Sequence, residues 1–105
     1  MTYLDEVTAK IRNAACASAT VDGSKIRPDD IPSFAKLAKL ERCAIAIEAP
    51  DAGTAGIFMN RASNAGYWSH LIIPSGAHTR YVVLNGDAAP GFLLRLANLT
   101  SKEAA

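Results

Sequence analysis

The sequence predicts an α+β fold in which a four-stranded antiparallel meander is preceded by two helices and followed by a third. The main observation is a succession of four apolar, β-branched runs in the second half of the chain, separated by short turn signals. These runs are residues 43–48, 56–62, 67–73 and 79–85. Helical apolar periodicity before and after them gives the predicted order α-α-β-β-β-β-α.

Three segments carry apolar residues at helical spacing. The first predicted helix spans residues 2–17, and a loop over residues 20–30 follows it. Asp30 is the predicted N-cap of a short second helix, and Asp87 is the predicted N-cap of the last one, with Pro90 in its first turn. The apolar sides of the three helices are Leu4, Val7, Ile11, Ala14 and Ala15; Phe34, Leu37, Ala38 and Leu40; and Phe92, Leu93, Leu96 and Leu99.

The sheet is predicted to have two apolar faces. Tight hairpins over residues 49–55, 63–66 and 74–77 fix a register, and period-2 alternation then divides the strand side chains. One face is predicted to hold Cys43, Ile45, Ile47, Ile57, Met59, Trp68, His70, Ile72, Tyr81 and Val83. The other is predicted to hold Ala44, Ala46, Glu48, Phe58, Asn60, Ser69, Leu71, Ile73, Arg80, Val82 and Leu84. Two helices span one face of a sheet about 19 Å wide, so the third leaves part of the other face exposed, which is typical of an association surface.

Composition and charge restrict the class of protein. A chain of 105 residues predicts a single domain over residues 1–105, with no cofactor or metal. The 11 basic and 10 acidic residues are spread along the chain, and this disfavours a nucleic-acid partner, which requires a basic face. No apolar stretch is long enough to predict a membrane span. Cys16 and Cys43 fit no disulfide or metal spacing, which favours the cytoplasm and leaves the reactivity of either thiol open.

The leading functional hypothesis is a non-enzymatic protein–protein interaction module. It is expected to self-associate as a symmetric dimer through the apolar sheet face or through an edge strand. Large apolar and aromatic strand residues are the expected anchors of such an interface. The anchor candidates are Phe58, Tyr67, Trp68, Leu71 and Tyr81.

The alternative hypothesis is a small-molecule-binding domain or minor enzyme. Its pocket is expected near His70, Arg61 and Tyr81, where an imidazole, a cation and an aromatic ring can converge. A zinc site is not predicted, because His70 and His78 fall on opposite faces and no carboxylate or thiol lies at ligand spacing from either. The two hypotheses differ in their dependence on His70, which only the acid–base version requires.

Overall fold

The computed structural model describes residues 2–15, 17–66, 69–75 and 78–96. Its helices are α1 (Tyr3–Ala14), α2 (Ile31–Leu40), α3 (Ala52–Asn64) and α4, which is helical over residues 90–96. Its strands are β1 (Ser18–Asp22), β2 (Ala44–Ala49), β3 (Ser69–Ser75) and β4 (Thr79–Leu84). Short 3₁₀ turns occupy Gly23–Lys25, Pro28–Asp30 and Gly86–Ala88.

The four strands form one mixed sheet with the order β1-β2-β4-β3. β1 is parallel to β2, whereas β4 is antiparallel to both of its neighbours. The connection from β1 to β2 therefore contains α2, and the connection from β2 to β3 contains α3. The predicted antiparallel meander is wrong, although the α+β class is confirmed. Of the three predicted hairpins, only the last joins two strands that pair, β3 and β4.

The predicted strand over residues 56–62 is instead the centre of α3. The helix begins after Asp51, whose carboxylate accepts a 2.7 Å hydrogen bond from the backbone N–H of Thr54. Its buried residues follow the i, i+3, i+7 spacing of one helix face, and they are Ala55, Phe58 and Ala62. The interpretation of residues 56–62 as a strand fails because their apolar residues also fit one face of a helix. The small residues 52–55 before them form the first turn of that helix, and Asp51 caps it.

The sequence prediction also missed β1. It extended the first helix to residue 17, but α1 ends with Ala15 in the left-handed conformation at φ 49°. The residues of β1, Ser18–Asp22, include only one large apolar side chain, that of Val21, which is fully buried. Such a short strand gives too weak an alternating pattern to stand out. The remaining loop of the prediction contains two 3₁₀ turns.

The predicted division of the sheet faces is wrong by one residue between β2 and β4. Ile45 lies opposite Leu84, and Ile47 lies opposite Val82, so these four side chains share one face. The sequence prediction instead placed Ile45 and Ile47 on the same face as Tyr81. The error arises because residues 56–62 form α3 and not a strand. A register that is counted through a strand and two hairpins that are not formed cannot place β4 relative to β2.

Helices cover the two faces unequally. Helices α1, α2 and α3 pack on the face of Ile45 and Ile47, where they form the main core. On the opposite face, Leu96 of α4 packs on Ala46 and Val83. The side chains of this second face are small or polar at many positions, among them Ser18, Thr20, Asp22, Ala44 and Glu48. Along β1 and β2 this face is therefore not a wide apolar surface, whereas Tyr81 and Val83 lie on it in β4, and the register places Ile73 of β3 opposite Tyr81.

A close backbone contact holds the end of β1 against β2. Gly23 is buried directly after β1, and a Cβ atom at this position would lie 2.3 Å from the carbonyl oxygen of Glu48. No side chain fits at that distance. The glycine therefore lets the first 3₁₀ turn pass close to the neighbouring strand.

Candidate functional site

The two edges of the sheet differ in how well they are protected. The edge strand β3 has an irregular register between Ser69 and Leu71, and it contains Pro74. Bulges and prolines are features that keep natural edge strands from pairing with other chains. β1, on the other edge, has neither a register shift nor a proline. β1 is therefore the edge that is better suited to accept a further strand.

The direction of the peptide groups in β1 follows from two hydrogen bonds. The carbonyl of Ala17 accepts from the N–H of Ala44 at 2.9 Å, so residue 17 faces β2. The N–H of Asp22 donates to the phenolic oxygen of Tyr3 at 3.0 Å, so residue 22 faces away. Because peptide groups alternate along a parallel strand, Ser18 and Thr20 also face away from β2. Among the described residues, no hydrogen-bond partner is found for the backbone N–H or C=O of Ser18 or of Thr20.

These outward peptide groups lie in a groove of about 340 Å³. The groove is lined by Lys10, Ile11, Ser18, Ala19, Thr20, Phe92 and Arg95. One wall belongs to α1 and the other to α4, so the groove wraps around the sheet edge from one face to the other. Among the described residues that line the groove, two are basic and none is acidic.

The walls of the groove are fixed by the core and by local contacts. α1 is anchored by its buried residues Val7 and Ile11, and the preceding Thr2 forms a reciprocal capping box with the third helical residue. α4 is anchored by Leu96, which is 6% exposed. The guanidinium of Arg95 lies 5.9 Å from the centre of the Phe92 ring, a distance at which a cation–π interaction stabilises its position.

The carboxyl ends of β1 and β2 bring a second group of polar residues together. Asp22 and Glu48 are neighbours across the parallel pair, and Asp51 follows β2. The hydroxyl and then the N–H of Ser24 lower the pKa of Asp22, and the N–H of Thr54 is the largest cause of the lowered pKa of Asp51. Both carboxylates thus serve as local caps. Across the described part of the chain, no three His, Cys, Asp or Glu side chains are grouped so as to hold a metal ion.

A further hollow of about 410 Å³ lies between the start of α1 and the loop before α2. The ring of Tyr3 packs on that of Phe34 at 6.5 Å, and the ammonium group of Lys25 lies 5.4 Å from the Tyr3 ring. Among the described residues that line this hollow, no nucleophile is paired with a base. We therefore assign these contacts to the packing of α1 on α2.

The structure separates the side chains that the pocket hypothesis brings together. Arg61 is exposed on α3, where its guanidinium lies 3.8 Å from the carboxylate of Asp29. Tyr81 lies on the opposite face of the sheet, half-buried beside the cluster under α4. His70 belongs to β3, and only its backbone is described. Arg61 and Tyr81 therefore cannot line one pocket.

The proposed interface anchors are also dispersed. Phe58 is 1% exposed and belongs to the main core, so its side chain is not available at the surface. Leu71 lies in β3 and is described by its backbone alone. Tyr67 and Trp68 lie outside the described residues, as does Cys16. Cys43 is fully buried, and its thiol lies 3.5 Å from the carbonyl oxygen of Ala44.

The groove residues were not singled out from the sequence. One signal could have found them: residues 18–22 alternate between smaller polar and apolar side chains, which is the pattern of a half-exposed strand. The positions of Lys10 and Arg95 at this strand required knowledge of the helix packing.

The described helices include none with the length and apolar character required to span a membrane. No protein-family model, curated protein or solved structure matches the chain.

Proposed function

We propose that this chain is a non-enzymatic protein-binding domain that pairs the edge of β1 with an extended strand of another polypeptide. The observation that carries the proposal is the pair of outward peptide groups at Ser18 and Thr20, which lie in a groove between two helices. Strand addition of this kind uses main-chain hydrogen bonds for affinity and neighbouring side-chain contacts for specificity.

The number of available hydrogen bonds sets the scale of the affinity. Ser18 and Thr20 together offer two donors and two acceptors, because the N–H and the C=O of one residue point to the same edge of a strand. At about 0.5–1.5 kcal/mol net for each bond, they supply roughly 2–6 kcal/mol. A micromolar complex requires about 8 kcal/mol. Contacts with groove side chains such as Phe92 must therefore add to the main-chain bonds.

The added strand can come from a second copy of the chain or from a different protein. Two β1 edges related by a two-fold axis would form one continuous sheet. Light scattering coupled to size-exclusion chromatography measures this directly as the mass in solution. The proposal does not depend on a dimer, because strand addition by a different protein uses the same peptide groups.

The experiment that tests the proposal compares Thr20→Pro with Thr20→Val. Proline removes the outward N–H of residue 20 without removing a bond to β2, whereas valine retains that N–H. Peptides are selected from a random displayed library on the wild-type domain and are then titrated against both variants. We expect the selected peptides to bind the valine variant and to lose binding to the proline variant.

Two results would overturn the proposal. One is the failure of the library to yield any peptide whose binding protects the Thr20 amide from exchange. The other is equal binding to the two Thr20 variants. Circular dichroism and urea unfolding of each variant show whether the proline variant is folded, and amide protection in the wild type keeps the test decisive if it is not.

A further inference from the structure

The groove at β1 is positively charged, and this charge restricts the chemistry of the segment that can fill it. Lys10 and Arg95 are both exposed, and they are the charged side chains among its lining residues. The ion pairs found within the described residues join Arg12 to Glu41 and Arg61 to Asp29, so neither groove cation is neutralised by one of them. A segment that fills the groove therefore meets two positive charges.

A second copy of this chain is a poor match for that charge. The strand that it would donate is β1 itself, whose single acidic residue is Asp22. That carboxylate already accepts hydrogen bonds from the N–H and the hydroxyl of Ser24, at 2.9 and 2.7 Å. A symmetric pair would also bring two copies of the same basic groove to one interface, since a two-fold contact is made by identical surfaces.

The positions of the two cations specify the pattern of the bound segment. Lys10 belongs to α1, which packs on one face of the sheet, and Arg95 belongs to α4, which packs on the other. Successive side chains of an added strand point to opposite faces. Neighbouring residues of the segment, and not alternate ones, can therefore reach Lys10 and Arg95.

We infer that the strand bound at β1 comes from a different protein and that it is an extended peptide with two adjacent acidic residues. The inference rests on the proposed strand addition at β1, and it adds the chemistry of the partner. The acidic pair binds Lys10 and Arg95, and the main chain of the bound segment pairs with Ser18 and Thr20. Electrostatic complementarity of this kind selects partners and speeds association.

The test uses the full chain and the same random displayed library. Peptides selected on the wild type should be enriched in adjacent Asp or Glu residues. Peptides selected on the double variant Lys10→Glu/Arg95→Glu should be enriched in adjacent Lys or Arg residues at the same positions. Lys36→Glu is the matched control, because Lys36 is an exposed lysine on α2 outside the groove, and it should select the same acidic peptides as the wild type.

Titration of one selected acidic peptide gives the magnitude. Each single neutralisation, Lys10→Gln or Arg95→Gln, should weaken binding by about fivefold at low salt, as expected for the loss of an exposed ion pair of about 1 kcal/mol. Raising the ionic strength from about 0.1 M to about 1 M should remove most of that difference. Thr20→Pro should abolish the binding of this peptide in addition.

The outcomes separate the partner's chemistry from the strand addition. Selected peptides that are no more acidic than the library, but that still require the Thr20 N–H, overturn the acidic partner and leave the strand addition standing. If the wild-type chain forms a dimer that Thr20→Pro disrupts, the acidic partner is likewise overturned and the strand addition stands. If acidic ligands bind the proline and valine variants equally, both the acidic peptide partner and the strand addition are overturned. Binding would then require only ion pairing, as for a nucleic-acid phosphate at a cationic patch, and not the Thr20 N–H.

Discussion

The phenolic oxygen of Tyr3 accepts a hydrogen bond from the backbone N–H of Asp22 over 3.0 Å. This bond ties the first turn of α1 to the carboxyl end of β1, and it occupies the outward N–H nearest that end. The open part of the strand edge is thereby limited to Ser18 and Thr20 in the groove between α1 and α4. One aromatic side chain thus sets where a partner strand can pair.

Replacing Tyr3 by phenylalanine should open the end of the β1 edge. The variant keeps the ring packing on Phe34 but loses the acceptor for the Asp22 N–H. We expect faster hydrogen exchange at the Asp22 amide and a free energy of unfolding lower by about 0.5–1.5 kcal/mol. An Asp22 amide that exchanges as in the wild type would show that this hydrogen bond is not formed in solution.

Two neighbouring residues of α3 test whether residues 56–62 form a helix. Phe58 is 1% exposed and Ile57 is 49% exposed. Phe58→Ala should lower the free energy of unfolding by about 3–5 kcal/mol, because it leaves a cavity in the core. Ile57→Ala should change it by about 0.5 kcal/mol or less. Urea unfolding measures both, and a larger loss at Ile57 than at Phe58 would contradict the orientation of α3.

Two glycines should respond in opposite directions to the same substitution. Gly23→Ala places a methyl group 2.3 Å from the Glu48 carbonyl oxygen, so it should destabilise the fold by roughly 1–3 kcal/mol. Gly56→Ala meets no atom within 4 Å and lies inside α3, where alanine is favoured by about 0.5–1 kcal/mol. Thermal unfolding of the two variants measures this pair, and a stable Gly23→Ala variant would contradict the close packing of β1 against β2.

The cap of α3 should make stability depend on acid pH. The pKa of Asp51 is lowered from 3.8, mainly by the Thr54 N–H and least by the nearby charge of His78. The ionised carboxylate therefore stabilises the folded state above pH 3.8, and this contribution is lost as the pH falls through the lower folded-state pKa. Asp51→Asn retains a capping oxygen without a titratable charge.

The measurement is the free energy of unfolding of wild type and Asp51→Asn from neutral to acidic pH. We expect the wild type to lose more stability than the asparagine variant below pH 3.8. Other carboxylates, such as Asp5 and Asp22, also have lowered pKa values, so both proteins should weaken in acid. A difference between them that does not vary with pH would exclude the capping role of the Asp51 charge.

The elements that the sequence predicted correctly are those with a long and unambiguous period. Leu4, Val7 and Ile11 mark α1, and Phe34, Leu37 and Ala38 mark α2, because each set combines the i+3 and i+4 spacings of one helix face. The alternation in β4 likewise predicted a strand, which the structure confirms as Thr79–Leu84. These are cases in which local pattern and burial agree.

The errors occurred where the local sequence pattern fits both a helix and a strand, or where it indicates neither. Phe58 suits a strand or a helix, and only its burial with Ala55 and Ala62 distinguishes them. The strand β1 carries one large apolar residue, Val21, and its position depends on pairing with β2 across a helix. Parallel pairing of this kind is a long-range property, and no spacing along the chain encodes it.

The groove was outside the reach of sequence patterns for the same reason. Lys10 and Arg95 are 85 positions apart in the sequence and approach one another only because their helices flank β1. The hypothesis of association through an edge strand came from the general liability of sheet edges. Which edge is open, and which side chains flank it, required the strand order.

The proposed strand addition requires that the Thr20 N–H faces away from β2 and is free to pair with another strand. Amide hydrogen exchange of the isolated domain, resolved by nuclear magnetic resonance along β1, tests it most directly. We expect slow exchange at Ala19 and Val21, whose N–H groups face β2, and fast exchange at Thr20, which becomes slow when a selected peptide binds. A Thr20 amide as protected as that of Val21 in the free monomer would mean that the edge of β1 is already covered and cannot accept another strand.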